Sequence, residues 1–384
     1  MNLLEGIRIL DLTRLYPGPF CTMMLADMGG DVIKVESPGE GDYFRKMGPM
    51  DGEDSHYFRL LNRNKKSITL NLKDPKGVEL FLRLAADADV VVEGFRPGVV
   101  DSLGIGYDQV RRINEKIIYC SITGYGQDGP LRDRAGHDLN YIALSGILDI
   151  TGQAGGPPVI PGVQIGDVGG GTQMALSAIL AALFARERGK GGTYIDVAML
   201  DGLVSWLPIS MAEVFAGNDV KRGEAELNGG LACYSVYKTA DGGYMALGAL
   251  EKKFWLSFCA AVGRNDLRDV QYQQDQAGLK KELAGIFGQK NRRQWEEIFA
   301  GVDACCEPVL SLPEVKDHPQ VKAREMVTGK SLSFPVRFKD GGPVQSEPAP
   351  AIGEHTEEVL LTAGLTDEDI LKLKQEGVLG SRGC

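Results

Sequence analysis

Paired cysteines, zinc-ligand spacings and a basic charge excess are all missing from this chain. Its seven cysteines (Cys21, Cys120, Cys233, Cys259, Cys305, Cys306 and Cys384) form no CxxC pair and no Cys/His metal spacing. An odd number of scattered thiols reads as a reduced set, the usage expected of a cytoplasmic protein. Acidic residues outnumber basic ones, 52 to 42, for a net charge of −10. That balance argues against non-specific binding to nucleic acid or to a membrane surface, both of which need a basic field. The first residues, MNLLEGIRILDLT, contain no basic segment followed by a long apolar stretch, so no signal peptide is expected. The longest apolar run, near 175–184, is interrupted by Ser177 and reads as too short to span a bilayer. Walker loops, HExxH and GxSxG are absent too, which removes several familiar chemistries.

What is present is the balance of a globular protein: 384 residues, 43% hydrophobic and 24% charged. The length leaves room for two domains. Strand-like apolar runs at 7–12, 32–35, 67–72, 90–93 and 117–122 alternate with helix-like segments at 20–28, 76–86 and 107–114. Alternation of this kind predicts an α/β fold with a parallel, doubly wound sheet. A Gly/Pro-rich loop at 152–166 leads into a helix predicted over 172–187, and a strand follows at 193–197. After a helical stretch at 200–216 the character changes. Runs at 234–238 and 244–247 flank an Asp241-Gly242 turn and predict a β-hairpin. Helices are expected next, near 252–262, 279–287 and 293–299. The expected division is a large domain over 1–219, a small α+β domain over 220–325, and a linker and tail over 326–384. The linker is the Pro-rich stretch 343–350, and Thr366 opens a capped terminal helix.

Four segments carry more polar and glycine content than their surroundings need. His137, within Gly136-His137-Asp138-Leu139-Asn140-Tyr141, is one of only four histidines and can exchange a proton near neutral pH. A hydrogen-bonding structural histidine is the alternative. Asp167 is followed by Val168 and then Gly169-Gly170-Gly171, just ahead of a predicted helix. A carboxylate there can act as base or nucleophile, the glycines can admit a ligand to the backbone, and a simple N-cap is the alternative. Glu93-Gly94-Phe95-Arg96, with Arg63, Lys65, Lys66 and Lys73, supplies positive charge near predicted carboxyl ends of strands, where a phosphate-bearing ligand would bind. Glu251 follows the hairpin at a helix start.

Together these residues resemble the family III CoA-transferases and their relatives, the α-methylacyl-CoA racemases. The resemblance runs through Gly6-Ile7-Arg8-Ile9-Leu10-Asp11-Leu12, Pro17-Gly18-Pro19 and Leu25-Ala26-Asp27-Met28-Gly29-Gly30-Asp31-Val32. It continues in Glu93-Gly94-Phe95-Arg96-Pro97-Gly98, Gly124-Tyr125-Gly126-Gln127-Asp128-Gly129-Pro130, Gly189-Lys190-Gly191 and Gly353-Glu354-His355-Thr356. In the transferases the aspartate matching Asp167 attacks a thioester and carries CoA covalently. In the racemases it is one of two bases, with a histidine in a GHD-x-NY motif that residues 136–141 match. The resemblance implies an acyl-CoA racemase or epimerase using His137 and Asp167, with Glu251 supporting His137; CoA transfer through Asp167 is the alternative, and a non-catalytic CoA-binding protein a third. It implies CoA contacts at Thr69, Leu70, Asn71, Leu72, Lys73, Glu93, Gly94, Phe95, Arg96, Gly136, Asp138, Asn140 and Tyr141. It also implies that the large domain is Rossmann-like with the tail 326–384 returning to it, that two chains form an interlocked homodimer, and that there is no metal and no cofactor beyond the CoA of the substrate. Helix N-termini and backbone N–H groups at 169–171, or nearby, are expected to stabilise charge on the thioester oxygen.

Overall fold

The computed structural model describes residues 2–339 and 346–380. They divide into two compact units, one built from Met1–Ser145, Val163–Trp206 and Glu325–Cys384, the other from Gly146–Gly162 and Leu207–Arg324.

The first unit is built on a parallel sheet of strands β1 (Arg8–Asp11), β2 (Asp31–Glu36), β3 (Lys66–Thr69), β4 (Val90–Glu93), β5 (Ile118–Thr123) and β6 (Thr193–Ala198). Their order is β3-β2-β1-β4-β5-β6, the doubly wound arrangement the alternating pattern predicts. Strands β4 and β5 are buried at every residue, which is why they read as unbroken apolar runs and not as alternating ones. The chain moves outward from β1 through β2 to β3, then crosses to β4 on the other side of β1. A crevice therefore opens at the carboxyl ends of β1 and β4, where ligands bind in such sheets. Capping fixes the crossover helices: Asp74 accepts the Lys76 N–H at 2.9 Å ahead of helix Pro75–Ala86, whose first residue is proline.

Helix Met174–Glu187 begins close to its expected start, but it is continued backwards by a π-helical run, Gly166–Gln173. The continuous helix Gly166–Glu187 is, among the described residues, long and apolar enough to cross a membrane by length and composition. The sequence-based expectation of too short a run therefore applies to the apolar segment alone. Its Ala175, Leu176, Ile179 and Leu183 are buried, and the helix packs on β5 and β6 as a core helix does. The helical stretch expected at 200–216 is two helices, Met199–Val204 and Pro208–Phe215. Pro208 cannot continue the first and starts the second at its N1 position.

The carboxyl-terminal residues Glu325–Cys384 belong to the first unit. His355 donates its N–H to Ser67 O at 2.9 Å, Thr356 Oγ1 accepts the Thr69 N–H at 3.1 Å, and Gly380 N–H reaches Thr69 Oγ1 at 2.9 Å. Thr366 and Asp369 form the expected reciprocal cap, at 3.2 and 3.0 Å, on helix Asp367–Gln375. Residues 343–345 of the expected linker, and Cys384, lie outside the described residues.

The second unit carries an antiparallel sheet of β7 (Tyr234–Lys238), β8 (Tyr244–Gly248) and β9 (Cys306–Pro308), in the order β9-β8-β7. The hairpin stands where the Asp-Gly turn predicts it; β9 is too short to be visible as a pattern. Helices Lys252–Ala261, Gln276–Phe287 and Arg292–Phe299 pack Trp255, Phe258, Phe287, Trp295 and Phe299 into one core. The indole N–H groups of Trp255 and Trp295 are satisfied by Leu267 O and Phe287 O, both at 2.9 Å. This unit also takes in 146–162, and it resumes at Leu207, ahead of the expected boundary at 220. Arg222 is the physical reason for the first of these. Its guanidinium donates to Asp149 O at 2.6 Å, to Asp149 Oδ1 at 2.8 Å and to Gly156 O, pinning the Gly/Pro-rich loop to this unit.

Candidate functional site

His137 is the N-cap of helix Asp138–Leu144, with its own N–H held by Asn140 Oδ1 at 3.0 Å and its side chain exposed. Asp138 faces a second helix start. Its Oδ1 accepts the N–H groups of Gly166 at 2.6 Å and Asp167 at 3.1 Å. One carboxylate thus ties the first turn of the His137 helix to the first turn of the Asp167 helix, and satisfies two of the amides that a helix start leaves open. The structure brings His137 and Asp167, distant in sequence, to adjoining helix ends. Asp138, expected to touch CoA, is occupied here as a cap.

Asp167 is half-buried, and its pKa is pushed up to about 7, first by burial and then by the like charge of Asp138. A carboxyl poised there can hold or release a proton at neutral pH. Around it stand Tyr16 and Tyr141, whose phenols are both pushed up by burial and by Asp167 and Asp138. Tyr141 is buried, donates to Gly136 O at 2.6 Å and meets Tyr125 edge-on at 5.2 Å. Tyr16 carried no signal as a site residue in the sequence, because the Pro-Gly-Pro after it reads as a plain turn.

The glycine run is explained by packing and not by ligand access. A Cβ on Gly169 would stand 1.9 Å from the Trp206 ring, and one on Gly170 would stand 2.3 Å from Met199 O. A Cβ on Gly202 would lie 2.5 Å from Gly170 O, so two helices cross here at backbone contact. Residues Gly169, Gly170 and Gly171 are buried within the π-helical run. The expected use of their N–H groups as donors to a thioester oxygen is therefore corrected. Interruptions of this kind in a helix often mark functional sites, and Asp167 sits in its first turn.

The basic residues separate into two groups. Arg63 is buried and paired with Asp27 at 2.5 Å, Lys65 is buried and paired with Asp11 at 3.0 Å, and Lys66 bridges Asp31 and Glu358 at 3.2 and 3.4 Å. All three precede or begin β3, at the amino edge of the sheet. Their expected role toward a phosphate is not what the structure gives them. Lys73 and Arg96 are exposed and follow the carboxyl ends of β3 and β4. Of the neighbouring candidates, Thr69 and Leu70 are buried against the C-terminal tail and the core, Asn71 gives its N–H to Val378 O at 2.8 Å, and Leu72 packs partly on the core. Glu93 is 2% exposed and accepts the Phe95 N–H at 2.7 Å, which shapes the turn through Gly94 to Arg96. Burial, with Asp101 and Asp196 nearby, pushes its carboxyl up to about 7 against the opposing hydrogen bonds from Ser121 and Phe95.

At the crevice itself the Arg14 guanidinium lies 4.9 Å from the centroids of both Tyr43 and Phe95. The segment Gly124–Gly129 has G-x-G-x-x-G spacing after β5, yet turns follow it and the next helix opens only at Asp138. It is not a dinucleotide loop. Glu251 belongs to the second unit, where it is the exposed N-cap of helix Lys252–Ala261.

The Asp138 carboxylate makes a specific pH prediction. Replacing Asp138 by Asn keeps an oxygen for the Gly166 and Asp167 amides but removes the like charge. The acid limb of kcat/KM, near pH 7 where Asp167 titrates, should then move to lower pH, short of a full return because burial is the larger cause. A limb that stays in place would detach it from this pair of carboxylates.

A family model for CoA-transferase family III matches residues 4–356. The chain is 38% identical to succinyl-CoA:glutarate CoA-transferase of Mus musculus, over 99% of this chain and 91% of that one. It is 35% identical to α-methylacyl-CoA racemase of Homo sapiens, over 98% of each. Among solved structures, a CAIB/BAIF family protein from Brucella suis superposes with a TM-score of 0.83 at 32% identity, over 94% of this chain and all of that one.

Proposed function

The chain belongs to CoA-transferase family III, and from that membership we propose that it is an acyl-CoA racemase or epimerase, inverting the α-carbon of a 2-methylacyl-CoA-type thioester. The observation that carries this reading is the Asp138 bridge, which sets an imidazole and a carboxyl of pKa about 7 on adjoining helix ends. Inversion needs two groups that can exchange protons, one for each face of the carbon, and neither metal nor redox chemistry enters. Asp167 takes the α-proton from one face, and the pair is then neutral carboxyl and enolate. His137, protonated, returns a proton to the opposite face; for the other enantiomer the roles exchange. Arg96 and Lys73 meet the CoA phosphates, which an acidic protein must attract locally.

Transfer of CoA between carboxylic acids, with Asp167 as nucleophile, is the second reading, favoured by relatives such as the succinyl-CoA:glutarate enzyme. The test is incubation of the protein with 2-methylacyl-CoA in deuterated water, monitored by NMR, beside a succinyl-CoA transfer assay with a panel of acids. Deuterium at the α-carbon without exchange of CoA is the expected result. CoA exchange together with a hydroxylamine-sensitive acyl-enzyme, and no α-deuterium, would replace racemisation by transfer.

A further inference from the structure

The loop after β1 is held by more buried charge than its length would need. Lys34 and Asp42 pair at 2.9 Å with both side chains wholly buried. Lys34 Nζ also donates to Thr13 O at 2.8 Å, and Asp42 Oδ1 accepts the Leu15 N–H at 3.1 Å. Asp11 accepts Thr13 N–H at 2.9 Å, along with the Thr13 hydroxyl. Leu15 stands at φ +66°, a left-handed conformation that a branched residue adopts only when its surroundings enforce it. Burying an ion pair gives little or no net stability, so this arrangement calls for a purpose beyond holding the fold.

What the arrangement does is aim two side chains. Arg14 goes to the crevice, between Tyr43 and Phe95. The next step, Tyr16-Pro17, lies on the Asp167 helix: Pro17 O accepts Thr172 Oγ1 at 2.7 Å, and a Cβ on Gly171 would come within 3.0 Å of Pro17 Cβ. Gly171 is about one turn beyond Asp167 on that helix. The Tyr16 ring is steadied by stacking on Phe20, at 6.0 Å and 13°. Its hydroxyl has no hydrogen-bond partner among the described residues, whereas the hydroxyl of Tyr141 is committed to Gly136 O. Burial and the two nearby carboxylates keep the phenol protonated, hence a donor. The glycine amides that the sequence offered as oxygen donors are buried in helix packing.

We propose that Tyr16 is a substrate-contacting residue of this site, its hydroxyl donating a hydrogen bond to the thioester carbonyl oxygen as negative charge develops there. This rests on the acyl-CoA reading above, and it holds for both chemistries: the enolate of proton exchange and the tetrahedral adduct of CoA transfer each place charge on that oxygen. No proton changes owner in the contact.

Tyr16→Phe keeps the ring and its stacking on Phe20, so the loop survives the change. Expected is a fall in kcat of about 10²-fold for whichever thioester reaction the wild-type protein performs, with KM changed only a few-fold. In parallel, binding of an acyl-CoA and of the matching S-alkyl-CoA thioether, which lacks the carbonyl oxygen, is measured for both proteins. The variant should weaken the acyl-CoA by about two- to tenfold and leave the thioether unchanged. A Tyr16→Phe enzyme with wild-type kcat, or one that loses both ligands equally, would overturn the assignment. A wild-type protein that binds neither ligand would instead overturn the reading beneath it.

Discussion

Asp167→Asn is expected to slow interconversion of the α-epimers, or CoA transfer if that is the reaction, by about 10²- to 10⁴-fold, the range a positioned acid–base group supplies. Asparagine has the same shape, and its backbone N–H still reaches Asp138, as in the native 3.1 Å contact. The helix start should therefore be preserved. Stability should move the other way. The folded carboxyl titrates near 7, above its ordinary 3.8, so the native state holds its proton more tightly than the unfolded chain does. Stability from this group is present below the unfolded pKa and is lost as pH rises through the folded one. Asparagine removes that loss. Thermal melts at pH 5 and pH 8 should show the variant gaining on wild type at the higher pH. An inactive variant that is also less stable at both values would mean that Asp167 supports the fold and not the chemistry.

The second large effect separates the two reactions. His137→Gln should slow interconversion of the two α-epimers by a similar factor while leaving CoA binding intact, and solvent exchange by the epimer whose proton Asp167 removes should persist with retention. The His137 side chain is exposed at the N-cap position, and its backbone N–H bond to Asn140 is independent of the ring. The cost in stability should stay within about 0.5 kcal/mol, as at other exposed positions. If the enzyme is a transferase, the nucleophile Asp167 is untouched and CoA exchange survives the change. Racemisation cannot survive it, because one face of the carbon has lost its proton source. Wild-type rates of epimer interconversion in His137→Gln would remove the imidazole from the mechanism.

How much of the site was visible in the sequence depended on how local each signal was. His137 and Asp167 stood out because rare or glycine-flanked polar residues mark themselves. Lys65 and Arg63 looked like phosphate ligands because a run of positive charge gives no hint of Asp11 and Asp27, which bury and neutralise them from far along the chain. The glycines of 169–171 read as ligand access because their partners, Trp206, Met199 and Gly202, arrive only when two helices cross. Tyr16 was passed over because its importance comes from the loop that aims it, and that loop is locked by residues on β2 and beyond.

Periodicity and turn chemistry by themselves determined the parallel sheet, the hairpin and the capped terminal helix, because each is written in residues that are neighbours or near-neighbours in sequence. Tertiary structure alone decided which charges are available, which glycines serve packing, and how far the smaller unit extends, since Arg222 claims the loop at 146–162 across a long stretch of chain. The same holds for the meeting of the two helix ends at Asp138. Hydrogen bonds and burial act between groups that folding makes adjacent, and that adjacency is not recorded in the spacing of the letters.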